Sequence, residues 1–64
     1  MVDVWDTVHL SKDIRVIINN ETHLLIPKGT EGTVHEIVEG RHIFVSFKVG
    51  PVIIDQMLVE DDLE

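Results

Sequence analysis

The chain has 64 residues, 44% of them apolar, and its 12 acidic side chains outnumber 5 basic ones for a net charge of −7. That length bounds it to one domain, near the size where a single core is just sufficient, and leaves little room for a multi-step enzyme with its own substrate pocket. The apolar content excludes a disordered chain. The charge disfavours phosphate backbones and anionic lipid, and the absence of Cys removes disulfides, thiolate chemistry and Cys-ligated zinc together.

Val and Ile supply 18 residues, and four Thr raise the β-branched total to 22. These side chains are stiff at χ1 and suit a pleated surface, so strands are expected throughout. Turn residues recur at short intervals, at Asn19-Asn20, Pro27-Lys28-Gly29, Glu39-Gly40 and Gly50-Pro51. Four to five short strands with even turn spacing read as a small barrel or sandwich. No window carries a sustained helical stripe, so no helix longer than one turn is expected.

In chain order, the first strand is predicted from about Val4 to Leu10. Val4, Val8 and Leu10 share one face, with Trp5, Thr7 and His9 on the other. Trp5 is expected to cover an open end of the barrel; the alternative is a binding aromatic. Ile14–Ile18 and Thr22–Ile26 form two arms of a hairpin across Asn19-Asn20, because Asn tolerates the positive φ a tight turn demands. This arm is apolar on both faces, with Ile17 and Leu25 as well as Ile18 and Leu24, so it must be covered or stick to something.

Pro27-Lys28-Gly29-Thr30-Glu31-Gly32-Thr33-Val34 is the most patterned stretch, a tight diverging turn ahead of the next strand. Thr33–Val38 and His42–Lys48 are predicted to pair over Glu39-Gly40. With Val38 opposite Arg41, the pairs Val34–Val45 and Glu36–Ile43 fall on one face, and His35–Phe44, Thr33–Ser46 and Ile37–His42 on the other. Val34, Ile43, Val45 and Phe47 are then core, and Ile37 and Phe44 point outward. Val52–Ile54 follows Gly50-Pro51 as a short strand. Residues 59–63 read as one 3₁₀ turn with Leu63 pointing inward.

These elements together resemble the SH3-like small β-barrels. The resemblance rests on Asp6-Thr7-Val8-His9-Leu10, on Pro27-x-Gly29-x-x-Gly32-x-Val34, on Ile43-x-Val45-x-Phe47, and on Val59-x-x-Asp62-Leu63-Glu64. The pattern looks closest to a family of small bacterial domains of unknown function. It is also similar to KOW-type domains and to the small barrel subunits of photosynthetic electron-transport complexes. The resemblance implies an all-β, single-domain SH3-like barrel over residues 1–64, with an extended apolar hairpin and a short 3₁₀ turn near the C-terminus. The glycines answer a backbone need common to all these families, so they speak to fold and not to role.

No residue set on this chain carries a recognisable chemistry. His9, His23, His35 and His42 include no H-x-x-x-H pair, so surface histidines are the expectation and no metal is assigned. Glu60, Asp61, Asp62 and Glu64 offer hard oxygens but no EF-hand loop; removing these four from the total leaves −3 for the rest. Gly29-x-x-Gly32 lacks the Gly-Lys-Ser/Thr ending of a phosphate loop. No nucleophile elbow surrounds Ser11 or Ser46. Lys12, Arg15, Lys28, Arg41 and Lys48 are scattered, so a basic nucleic-acid groove is not expected. With no Tyr and one Trp, a proline-peptide groove is missing.

The expectation is therefore a non-catalytic protein-interaction or assembly module, cytoplasmic, without cofactor, membrane or small-molecule substrate. Its partner surface is assigned to Ile17, Leu25, Ile37, Phe44, Glu60, Asp61 and Asp62. Either Ile17 or Leu25 folds over Phe44, or Phe44 belongs to an exposed patch that meets a partner or a second copy, and the acidic tail favours a basic partner. Two alternatives stay open: a small acidic inhibitor of a nucleic-acid-binding enzyme (an antitoxin, an immunity protein or a phage-encoded blocker), and a KOW-like nucleic-acid or ribosome-associated domain.

Overall fold

A computed structural model describes residues 2–39 and 41–64, with Ile18 described through its backbone alone. The chain is all-β. Among the described residues six strands run in order: β1 (Thr7–His9), β2 (Ile14–Ile18), β3 (Thr22–Ile26), β4 (Glu31–Val38), β5 (His42–Val49) and β6 (Val52–Val59), followed by a 3₁₀ turn at Glu60–Asp62. They form two antiparallel sheets, a four-stranded one in the order β1-β4-β5-β6 and the separate hairpin β2-β3. Among the described residues no helix is long and apolar enough to cross a membrane.

The β2–β3 arms lie where the sequence places them, with Ile14 opposite Ile26 and Ile18 opposite Thr22. Asn19 and Asn20 both take positive φ, 53° and 61°. Their short side chains lower the cost of a conformation that other L-residues avoid. Period-2 alternation sorts the faces. Ile26 is buried, and Ile14 and Val16 pack against the core from the same side. The hairpin is fastened to the rest of the chain by that face.

The core comprises Val8, Leu10, Ile26, Val34, Ile43, Val45, Phe47 and Leu58 in one cluster, with Val2, Ile14, Val16, Ile37, Val49 and Leu63 packed at its border. The four core residues expected from β4 and β5 are all buried. Gly32 explains part of this density. A Cβ there would sit 2.6 Å from a Val45 methyl and 2.7 Å from the Phe47 ring, so only hydrogen fits where β4 crosses these side chains. Leu63 bridges Leu10, and Glu64 N–H donates to the His9 carbonyl at 2.8 Å, which returns the chain end to β1.

Four expectations need correction. The first strand is shorter than Val4–Leu10: Val4 and Trp5 lie in a turn, and Trp5 is 74% exposed with φ 75°. Trp5 therefore covers no barrel end. Its N–H instead donates to the Val34 carbonyl at 2.6 Å, which offsets a backbone strain of about 1–2 kcal/mol. The β4–β5 register agrees at Thr33–Ser46 and Val34–Val45, then shifts between Val34 and Glu36. His35 is the extra residue of a β-bulge. Beyond it Glu36 faces Phe44 and Ile37 faces Ile43, so Ile37 turns inward and Glu36 outward, the reverse of the uninterrupted pattern. Finally, β6 runs to Val59 and not Ile54. The β4–β5 turn was assigned to Glu39-Gly40; Glu39 has φ 53°, and Gly40 lies outside the described residues.

Candidate interaction surface

The outer face of the β2–β3 hairpin brings two of the assigned residues together. Ile17 pairs with His23 and Leu25 with Arg15, so the two aliphatics are diagonal neighbours on the side away from the core. They are 58% and 52% exposed. Phe44 is half-buried on the outer face of the four-stranded sheet, between Glu36 on β4 and Met57 on β6. Its ring centroid is 6.1 Å from the His35 imidazole at 41°, a tilted contact. Ile37 does not belong to this surface, because the bulge sends it to the core border.

The acidic residues divide by role. Asp62 is committed internally. Its Oδ1 meets Lys12 Nζ at 2.8 Å, and its Oδ2 accepts the Val59 N–H at 3.1 Å. The Lys12 ammonium, followed by that backbone N–H, holds the carboxyl of Asp62 below its ordinary value, and the same contact raises Lys12. Ser11 N–H donates to the Asp62 carbonyl at 2.9 Å and Ser11 Oγ to that of Asp61 at 3.2 Å, completing a latch between the 3₁₀ turn and the segment after β1. Glu60 accepts the Val2 N–H at 3.0 Å. Glu60 and Asp61 remain exposed and, with Arg41 and Val59, line a shallow open pocket of about 230 Å³.

A polar row crosses the sheet beside Phe44, with Thr7, Thr33, Ser46 and Asp55 opposite one another on β1, β4, β5 and β6. Ser46 Oγ donates to Asp55 Oδ1 at 2.5 Å, and His35 Nε2 lies 3.6 Å from the same oxygen. Nucleophilic catalysis needs the hydroxyl bonded to the imidazole. Here the hydroxyl is spent on the carboxylate, and His35 Nε2 is buried without a hydrogen-bond partner. His9 meets Glu31 at 3.7 Å at the open end of the same face. Among the described residues no group of three or more His, Asp or Glu is placed to hold a metal ion.

Sequence reasoning missed two exposed apolar residues of β6, Ile53 and Met57, which are 69% and 52% exposed; Trp5, weighed there as a binding aromatic, is 74% exposed. For Ile53 and Met57 a signal existed. A two-residue turn at Gly50-Pro51 demands arms of matched register, and β5 was already long, so β6 had eight residues to offer. For Trp5 nothing in the local pattern announces a left-handed turn. Comparison with family models, with curated proteins and with solved structures finds no match to this chain.

Proposed function

We propose that this chain is a non-catalytic protein-interaction module, an SH3-like barrel in which the β2–β3 hairpin projects an apolar face toward a protein partner. The observation that carries the reading is the pair Ile17 and Leu25, adjacent on the outer face of a hairpin whose inner face already supplies the core. An aliphatic pair left in water on a chain this small gains about 25 cal/mol for each Å² a partner covers. The return of Leu63 and Glu64 to β1 supports the barrel, since it brings the chain end beside the first strand. A second reading, a small acidic inhibitor whose carboxylates stand in for phosphates, draws on the net charge and on exposed Glu60 and Asp61.

Salt separates the two. The test is retention of host proteins on the immobilised chain at low and moderate ionic strength, with Ile17→Ser/Leu25→Ser alongside the unaltered chain. Apolar docking predicts a partner that survives moderate salt and is lost with the double substitution. Loss from the unaltered chain as salt rises, with the double variant unaffected, favours the acidic reading. Retention of nothing specific rejects both.

A further inference from the structure

One long backbone edge of the fold is open. Among the described residues β6 ends the four-stranded sheet and pairs with β5 alone. Its register with β5 runs unbroken from Val49–Val52 at the turn to His42–Val59. The closing pair of a two-residue hairpin is hydrogen-bonded in both directions, and bonded residues alternate from there. Val52, Ile54, Gln56 and Leu58 therefore turn their N–H and C=O toward β5, while Ile53, Asp55, Met57 and Val59 turn theirs away. A separate contact agrees with this phase: the Val59 N–H is taken by the Asp62 carboxylate.

No backbone hydrogen bond joins the outward groups of Ile53, Asp55 and Met57 to another segment among the described residues. Natural sheets discourage strand addition with Pro, Lys or a bulge at the edge. Val52–Val59 contains none of these. Its one charge is Asp55, exposed between the exposed side chains of Ile53 and Met57 on one face, and the strand leads into Glu60 and Asp61.

We propose that β6 accepts an extended basic segment of a protein partner as an added strand; this rests on reading the chain as a docking module and gives it a second contact besides the Ile17–Leu25 face. Main-chain groups of Ile53, Asp55 and Met57 supply the hydrogen bonds, which fit any extended peptide. Selection comes from side chains: aliphatics lie against Ile53 and Met57, and Lys or Arg beside Asp55 and the acidic end of the strand. Charge decides against a second copy as occupant. It would bring another −7, and a two-fold pairing centred on Asp55 would set two carboxylates opposite each other.

The test is titration of the isotopically labelled full chain with a short Val-Thr-Lys-Thr-Val peptide, whose valines and lysine share one face, following amide shifts and hydrogen exchange. Protection at Ile53, Asp55 and Met57 is expected. The same peptide N-methylated at every second residue should bind about tenfold more weakly, and the peptide with Glu in place of its Lys should not bind. Met57→Pro removes an outward N–H without touching the β5 ladder and should also cost about tenfold. Asp55→Lys should invert the charge preference, a readout that stands should the proline variant fail to fold. Responses confined to the Ile17 and Leu25 face overturn the edge assignment while leaving the docking reading intact. Equal binding of the N-methylated peptide reduces the effect to charge attraction and overturns it too. So does a peptide-free dimer with these amides already protected, or silence at every amide.

Discussion

Gly32→Ala tests the packing at the centre of the fold. The added methyl would lie 2.6 Å from Val45 Cγ1 and 2.7 Å from Phe47 Cε1, both well inside contact distance. Neither side chain can retreat, because Val45 and Phe47 are fully buried and Val45 is held to few rotamers. Overpacking of this kind costs about 1–3 kcal/mol, and the rigid surroundings favour the upper half of that range. Alanine restricts the unfolded chain and returns about 0.4–1 kcal/mol, so a net loss of about 1–2.5 kcal/mol is expected. For a domain of this size that lowers Tm by roughly 4–20 °C. Thermal unfolding by circular dichroism reads it directly. Adding Val45→Ala removes the struck methyl, so the double variant should lose less than the two single losses combined. Gly29→Ala is the contrast. Nothing lies within 4 Å there, and its cost comes from φ 87° alone. A Gly32→Ala protein as stable as the unaltered chain would refute the reasoning.

The remaining predictions concern the latch, the exposed aromatic and the sheet face. Asp62 is depressed in the folded chain, so its contribution is present above about pH 4 and lost as pH falls through its folded value; Lys12 is raised, so its part is lost only above about pH 10.5. Denaturant unfolding of Asp62→Asn should therefore show a deficit near neutrality that shrinks in acid, and a deficit independent of pH would contradict the latch. Trp5, the single tryptophan, should emit as a solvated indole and be freely quenched by acrylamide; a blue-shifted, protected emission would mean the ring is covered. Phe44→Ser should leave the sedimenting mass unchanged, because the charge argument gives this face no second copy to hold. A mass that falls on substitution would restore the self-association reading.

Much of the fold was legible because strand periodicity is a local property. The β-branched content, the Asn19-Asn20 turn and the alternation through Ile43, Val45 and Phe47 specify strands, the hairpin arms and the inward set before any partner is known. The Gly29–Gly32 element was legible as a turn. Only the packing revealed that Gly32 is glycine for lack of room and not for its dihedral angles, since that follows from side chains more than ten positions away.

Other features belong to tertiary structure because they are settled between strands. The bulge at His35 reverses the inside–outside pattern of Glu36 and Ile37, and no residue on β4 announces where an extra position will be absorbed. Asp62 looks like any other acid of the tail until Lys12 and Val59 meet it. Trp5 reads as core by composition and sits in water, because the backbone bond to Val34 fixes its turn. The open edge of β6 is likewise a fact of sheet order, which depends on what each strand finds beside it. Composition and alternation thus determined that this chain would be a small, acidic, all-β domain. Which residues it leaves facing water was decided by register and chain-end contacts, where hydrogen bonds and packing between distant segments outweigh local preference.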